Sequence, residues 1–261
     1  LSSTAFQVGY VVIVDNASVN RGFIRGLCNE FGNCRFVEVG FNSGIAHAIN
    51  IGIDYAMRHL SQEWFLLLDD DTILLNGAVE KALNAYQGLP SAVGGKVGII
   101  SLGAVNGDCN VREIRFGATS GSLVRADIFK LVRFRDDFFL DQADFDFYPR
   151  VRRLGYLILK VDCKLIDHKL GRKRWVPIIS SILGRAIDYE PPWRYYYIAR
   201  NSTILLREGL LDPATYVHQL VNWGIRILLA DGPTKFLKSL GLGLMHGLMR
   251  ESGFLDKEYI K

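Results

Sequence analysis

Residues 63–75, EWFLLLDDDTILL, set five bulky apolar side chains directly against Asp69, Asp70 and Asp71 and then return to apolar residues. Like charges this close repel, and an apolar setting raises the cost of each. A cation relieves both. Clustered hard oxygens suit Mg²⁺ or Mn²⁺, which keep one or two protein carboxylates and take further oxygens from phosphates. The alternative is a solvated acidic turn. A basic counterpart exists in one short stretch, where Lys169, Arg172, Lys173 and Arg174 crowd together.

The apolar run 64–68 reads as a buried strand, which puts the carboxylates at its carboxyl end. Ligands bind at that end in open α/β sheets. Residues 10–14 (YVVIV) form a second β-branched run, closed by the turn-forming Asp15, Asn16 and Ser18, and residues 35–39 (RFVEV) form a third. Residues 23–31 read as helix. Asn42-Ser43-Gly44 opens a helix to about residue 59, with Ile45, Ile49, Ile53 and Met57 at helical spacing and Asn42 as its cap. A helix is expected at 78–86 and extended chain at 97–102, 112–117 and 121–124. A short helix follows at 125–131. The next helix, 145–154, stops at Gly155 and carries Pro149, which a helix tolerates in its first turn. Residues 156–161 (YLILKV) are a further strand.

Alternating strands and helices predict an α/β fold, a mixed sheet flanked by helices. Beyond residue 175 the texture becomes helical, at 193–207, 215–229 and 235–250. The expected division is a core, 1–175, and a helical C-terminal appendage, 176–261. Trp193 and Tyr195 to Tyr197 read as core of that appendage. Val221, Ile225, Leu228 and Leu229 mark one apolar face, and Phe236, Leu237, Leu240, Leu244 and Leu248 mark another, flanked by Lys235, Lys238 and Arg250. Such helices either pack on the core or lie along a membrane surface.

Bulk composition narrows the class. The chain of 261 residues is 49% hydrophobic and 22% charged, which excludes a disordered chain. A net charge of +4 is too small to argue for nucleic acid. The four cysteines, Cys28, Cys34, Cys109 and Cys163, show neither CxxC nor zinc spacing, and read as buried or free thiols in a reducing compartment. No apolar run approaches the ~20 residues that span a bilayer, and residues 1–7 are too short and polar for a leader. A cytoplasmic protein is expected, peripheral on the inner face of the plasma membrane if the apolar faces meet lipid.

A haloacid dehalogenase-type phosphatase also opens with a buried strand and D-x-D. That motif wants Thr or Val two positions after the second Asp. Here that position is Ile73, and the threonine falls one early, at Thr72. This mismatch demotes the phosphatase, which stays as an alternative. Six motifs in order point elsewhere: VVIVDNAS, FNSGIAHAINIGIDYA, WFLLLDDDT, SGSLVRADIF, FFLDQADFDFYPRVRRLGY and DHKLG. They resemble the inverting nucleotide-sugar glycosyltransferases of family two, specifically the rhamnosyltransferase-like branch that builds bacterial surface polysaccharides such as O-antigen.

The resemblance implies a GT-A-like, Rossmann-like fold and carries roles onto matching positions. Asp71 binds the metal, Asp69 lies near the donor ribose or a metal water, and Asp70 is an extra charge beside them. Asp144 is the base, with Arg150 the helical arginine six positions on, and Asp146 faces the acceptor. The acids of FFLDQADFDFYPR otherwise only cap a helix. His168, in DHKLG, completes the metal shell, although a lone histidine is more often structural. Asp15 contacts the nucleobase; Asn42 and Gly44 open a helix whose amides face the donor; Ser120, Gly121 and Ser122 lie near sugar and acceptor. The basic stretch neutralises a diphosphate or lipid phosphate, or is a solvated loop. The implied partners are a dTDP- or UDP-sugar and a saccharide or lipid-linked acceptor. Members of the family begin with a strand and a TYN-like loop, whereas this chain opens at what matches their second strand. A truncated, non-catalytic nucleotide-sugar-binding module is therefore the second alternative.

Overall fold

The computed structural model describes residues 1–168 and 172–260. Lys169 and the side chain of Arg172, half of the basic stretch, lie outside the described residues. The chain divides into two compact units, Leu1–Arg135 with Phe147–Lys169, and Asp136–Asp146 with Leu170–Lys261.

In chain order the elements run α1 (Ser2–Ala5), β1 (Val11–Asp15), α2 (Arg21–Asn29), β2 (Cys34–Glu38), α3 (Ile45–His59), β3 (Trp64–Leu67), β4 (Thr72–Leu74), α4 (Ala78–Gln87), α5 (Ser91–Gly94), β5 (Val97–Leu102), β6 (Val111–Glu113), β7 (Ser122–Arg125), α6 (Ala143–Arg153), β8 (Leu157–Val161) and β9 (Ile166–His168). The second unit adds β10 (Arg172–Arg174), α7 (Pro177–Leu183), β11 (Ile187–Tyr189), α8 (Pro192–Arg207), α9 (Pro213–Asp231) and α10 (Pro233–Met249).

The fold is α/β, as the alternation predicts. Its largest sheet runs β3-β7-β5-β8-β6 and is mixed, with β5 parallel to β8 and the other pairings antiparallel. Every residue of β5 is buried, which explains its unbroken apolar run, since a strand covered on both faces has no polar side. Val97, Ile100, Leu102, Leu123, Leu159 and Val161 of this sheet pack with Ala78 and Ala82 of α4. Parallel β1 and β2 form a separate pair. α3 lies close on β1: a Cβ at Gly52 would meet Val14 Cγ2 at 2.8 Å.

Beyond β3 the chain turns, Thr72 N–H donating to Asp69 O at 3.2 Å, and enters β4. β4 pairs antiparallel with β9, setting Thr72 opposite His168. These three-residue strands are too short for their periodicity to show in sequence.

Several expectations are corrected. The four cysteines are not free thiols: Cys28 is bonded to Cys34 and Cys109 to Cys163. The first bridge joins the end of α2 to the start of β2; the second follows the pairing of β6 with β8, which no local spacing reveals. Asn42 does not cap α3. Gly44 holds the N-cap position at φ 87°, a region open to glycine, and Asn42 Oδ1 instead accepts from Gly44 N–H at 3.2 Å. Pro149 lies in the interior of α6, because the helix starts at Ala143 rather than 145. Asp141 and Gln142, both left-handed (φ 60° and 65°), set that earlier start. The short helix expected at 125–131 is a 3₁₀ turn, Ile128–Lys130.

In the second unit, α8 is buried along most of its length, including Tyr195, Tyr196 and Tyr197. Both α9 and α10 pack against it.

Candidate active site

The acidic triplet is sorted by its turn. Asp69 is half-buried where the chain leaves β3, while Asp70 and Asp71 are exposed. The pairing of β4 with β9 returns His168 to this corner. Asp69, Asp71 and His168 each present a ligand atom, and these atoms lie within 4.8 Å of one another. His168 Nδ1 is 3.3 Å from Asp71 Oδ1.

Burial raises the Asp69 pKa above the usual carboxylate value; Asp71 and Asp70 push it further and His168 only partly opposes them. A corner with excess negative charge and two carboxylates beside an imidazole fits a hard or borderline divalent cation. The residues present therefore fit a divalent cation.

A chain of hydroxyls braces this corner. Ser120 Oγ accepts from Asp69 N–H at 2.9 Å and lies 2.7 Å from Thr72 Oγ1. Thr72 Oγ1 lies 2.6 Å from His168 Nδ1. An imidazole that spends Nδ1 on a hydroxyl leaves Nε2 for a ligand. Gly121 follows at φ 81°, left-handed backbone that favours glycine, and lies against Ile166 of β9.

The other expected residues fall as follows. Ser120 joins the acidic corner. Ser122 is buried on β7, donating to Ala118 O at 2.7 Å and hydrogen-bonded to Tyr148 Oη, so it supports the sheet. Asp15 is 2% exposed, and its carboxylate accepts from Ser18 N–H at 3.3 Å, closing the turn after β1. Asn16 ties that turn to the mouth of α3: its Nδ2 donates to Asn42 Oδ1 and Gly44 O, both at 3.2 Å, and its Oδ1 accepts from Ser43 N–H at 2.8 Å. Arg150 donates to Arg133 O at 2.7 Å.

Asp144 and Asp146 belong to the second unit. Asp144, in the first turn of α6, is half-buried and accepts from Phe145 N–H at 3.0 Å. Asp146 is fully buried. The loop before them is clamped from α8. Arg194 donates to both Asp141 oxygens at 2.5 and 3.2 Å, and Asn201 Nδ2 donates to Leu140 O at 2.9 Å and Asp141 O at 3.1 Å. In the basic stretch, Arg174 is engaged, bonded to Asp231 at 3.2 Å and stacked over Tyr189 at 4.6 Å. Lys173 is exposed.

Sequence reading missed Asn16 and Thr72. Asn16 was visible only as turn chemistry, and Thr72 only as a misplaced phosphatase residue.

The strand that ends in acids and the returning histidine lie on a GT-A-like α/β fold, and solved structures share that fold. The structure of S. aureus TarS 1–349 in complex with UDP superposes with a TM-score of 0.56 at 13% identity, covering 95% of this chain and 75% of that one. The mannosyltransferase PcManGT from Pyrobaculum calidifontis, in complex with GDP-Man and Mn²⁺, gives 0.53 at 16% identity, covering 94% and 67%. The profile of glycosyl transferase family 2 matches residues 10–108, and over that stretch the chain is similar to that family. The chain is also 26% identical over 269 residues to the dTDP-rhamnosyl transferase RfbF of Shigella flexneri, covering 94% of this chain and 88% of the relative.

Proposed function

We propose that this enzyme transfers a sugar, L-rhamnose from dTDP-rhamnose, with inversion onto a saccharide or lipid-linked acceptor in surface polysaccharide synthesis, using Mg²⁺ or Mn²⁺. The observation that carries the reading is the convergence of Asp69, Asp71 and His168 within 4.8 Å, in a chain similar to a dTDP-rhamnosyl transferase. Asp71, His168 and Asp69 would hold the cation, which when bound supplies charge neutralisation for a departing nucleoside diphosphate.

The chain's own groups do the rest. Asp144 accepts the proton of the acceptor hydroxyl as the new bond to the anomeric carbon forms and the bond to the diphosphate oxygen breaks. The Asp15 carboxylate accepts the N–H of a pyrimidine base. Asn42 and Gly44, held by Asn16, orient the amino end of α3, whose dipole favours the diphosphate. Ser120 and Gly121 shape the loop beside the acids. Asp70 adds negative charge to the corner, and Arg150 ties α6 to the Arg133 carbonyl; Asp146, expected to face the acceptor, is fully buried, which leaves it no open face for one.

The test is Asp144→Asn. Transfer from dTDP-rhamnose is expected to fall by about 10²–10⁴-fold, with manganese-dependent dTDP affinity, read by calorimetry, unchanged. Equal loss of transfer and nucleotide binding would remove Asp144 from the base role.

A further inference from the structure

A surface helix of a globular protein turns its large apolar side chains inward. α10 does so only in part, with Phe236 stacked on Tyr195 and Leu242 packed beside Tyr196 and Tyr197. Its buried stripe is Ser239, Gly243 and Gly247. The glycines let it close on α8: a Cβ at Gly243 would meet Ala199 Cβ at 2.7 Å, and one at Gly247 would meet Thr203 Cβ at 2.6 Å. Leu237, Met245, Leu248 and Met249 are left exposed. α9 is similar. It buries Gln219, Gly224 and Ile227, and exposes Val217, Val221, Ile225, Leu228 and Leu229. A shallow groove of about 770 Å³ runs along it past Pro213, Val217, Val221 and Ile225. Apolar exposure sustained along two adjoining helices marks an interaction surface, unlike scattered single residues.

Charge says what that surface meets. Lys235 and Lys238 at the start of α10, and Arg250 just past its end, are exposed. Residues 233–250 contain no acid. Asp231, between the helices, is taken by Arg174 and Tyr189 at 3.2 and 2.7 Å. At the far ends, Asp212 caps α9 through Thr215 and Glu251 faces His246. An apolar face rimmed by cations complements an anionic lipid surface. No helix among the described residues is long and apolar enough to cross a membrane, so such helices lie in the plane of the interface.

We propose that the outward faces of α9 and α10 dock this enzyme on an anionic phospholipid bilayer, their apolar side chains at the acyl boundary and Lys235, Lys238 and Arg250 against headgroup phosphates. The inference deepens the reading of a lipid-linked acceptor and rests on it for its biological sense. Vesicle binding is read without any transfer, so failure of one is distinguishable from failure of the other.

The experiment is co-sedimentation of the full chain with vesicles of phosphatidylcholine alone and of phosphatidylcholine mixed with phosphatidylglycerol. Binding is expected to the anionic vesicles and to weaken with salt. Lys235→Gln with Lys238→Gln lowers the partition coefficient about fivefold per charge, and Leu237→Glu with Leu248→Glu lowers it by more than about tenfold. These side chains are exposed, and unchanged circular dichroism confirms the fold of each variant. Three results overturn the proposal: wild-type protein that stays in the supernatant with both vesicles, equal binding to neutral vesicles, or a dimer in light scattering that Val221→Glu dissolves while vesicle affinity is unaffected, which would make a second copy the occupant.

Discussion

At the residue scale, Asp69 carries the electrostatic strain of the corner. Burial raises its pKa, with Asp71 and Asp70 adding to the effect. A carboxyl whose folded pKa exceeds its unfolded one binds protons more readily in the native state. Its contribution to stability is therefore unfavourable at neutral pH and is relieved as pH falls through the raised value. Cation binding relieves the same penalty at neutral pH by mass action on the native state. Manganese should raise the melting temperature at neutral pH and do so less at mildly acidic pH. Metal-free Asp69→Asn should melt no lower than the wild type, yet lose the manganese shift. Scanning fluorimetry across pH checks this, and a shift that survives in the variant would exclude Asp69 as a ligand. Thr72 acts through His168. Thr72→Val removes the bond to Nδ1 and should weaken manganese affinity about 10–100-fold, read by electron paramagnetic resonance, with Thr72→Ser restoring most of it. The acids were legible in sequence because an apolar run fixes where a strand ends. Thr72 was not, because its partner lies 96 positions away and only strand pairing joins them.

At the element scale, α8 shapes the loop that delivers Asp144. The helix itself was legible from its pattern and so was its buried tyrosine run, but its polar work was not. Asp141 reads as one acid among three until left-handed backbone at Asp141 and Gln142 turns it toward Arg194. Burial raises the Asp141 pKa, and the Arg194 guanidinium opposes that rise. Breaking a buried pair from one side strands the remaining charge, which costs about 3–5 kcal/mol, whereas removing both partners costs far less. Arg194→Met should therefore lower unfolding stability in urea by about that amount, and Arg194→Met with Asp141→Asn, which tolerates the left-handed backbone, should recover part of it, since Glu190 also loses its arginine. A double variant as unstable as the single one would show that the loop, rather than the charge, sets the cost. The opposite kind of error occurred at α10. Helical periodicity grouped Phe236, Leu237, Leu240, Leu244 and Leu248 as one face, but Leu237 and Leu248 are exposed while Ser239, Gly243 and Gly247 are buried. Hydropathy assigns the larger side chains to the interior; here close backbone approach gives the interior to the smaller ones.

At the scale of the whole molecule, the candidate ligands Asp69, Asp71 and His168 fall in the first unit and Asp144 in the second. Sequence order conveyed the alternation of strands and helices but not the cross-links, because covalent pairing depends on distance in the folded chain. Both disulfides lie in the first unit, and they close loops of very different length. Cys28 and Cys34 are 6 positions apart, and Cys109 and Cys163 are 54 apart. In the chain-entropy view a cross-link stabilises by shrinking the unfolded ensemble, and the effect grows with the logarithm of loop length. That scaling gives about 4 kcal/mol for the longer bridge and about 2 kcal/mol for the shorter. Cys109→Ser with Cys163→Ser should thus lower unfolding stability more than Cys28→Ser with Cys34→Ser, measured by urea titration of the oxidised protein. Thiol titration of the unfolded chain should find no free thiol before reduction and all four after it. Four reactive thiols without reductant would return the cysteines to the reduced state first expected of them, and equal losses in the two pairs of variants would show that native packing around Cys163, rather than loop length, sets the stabilisation.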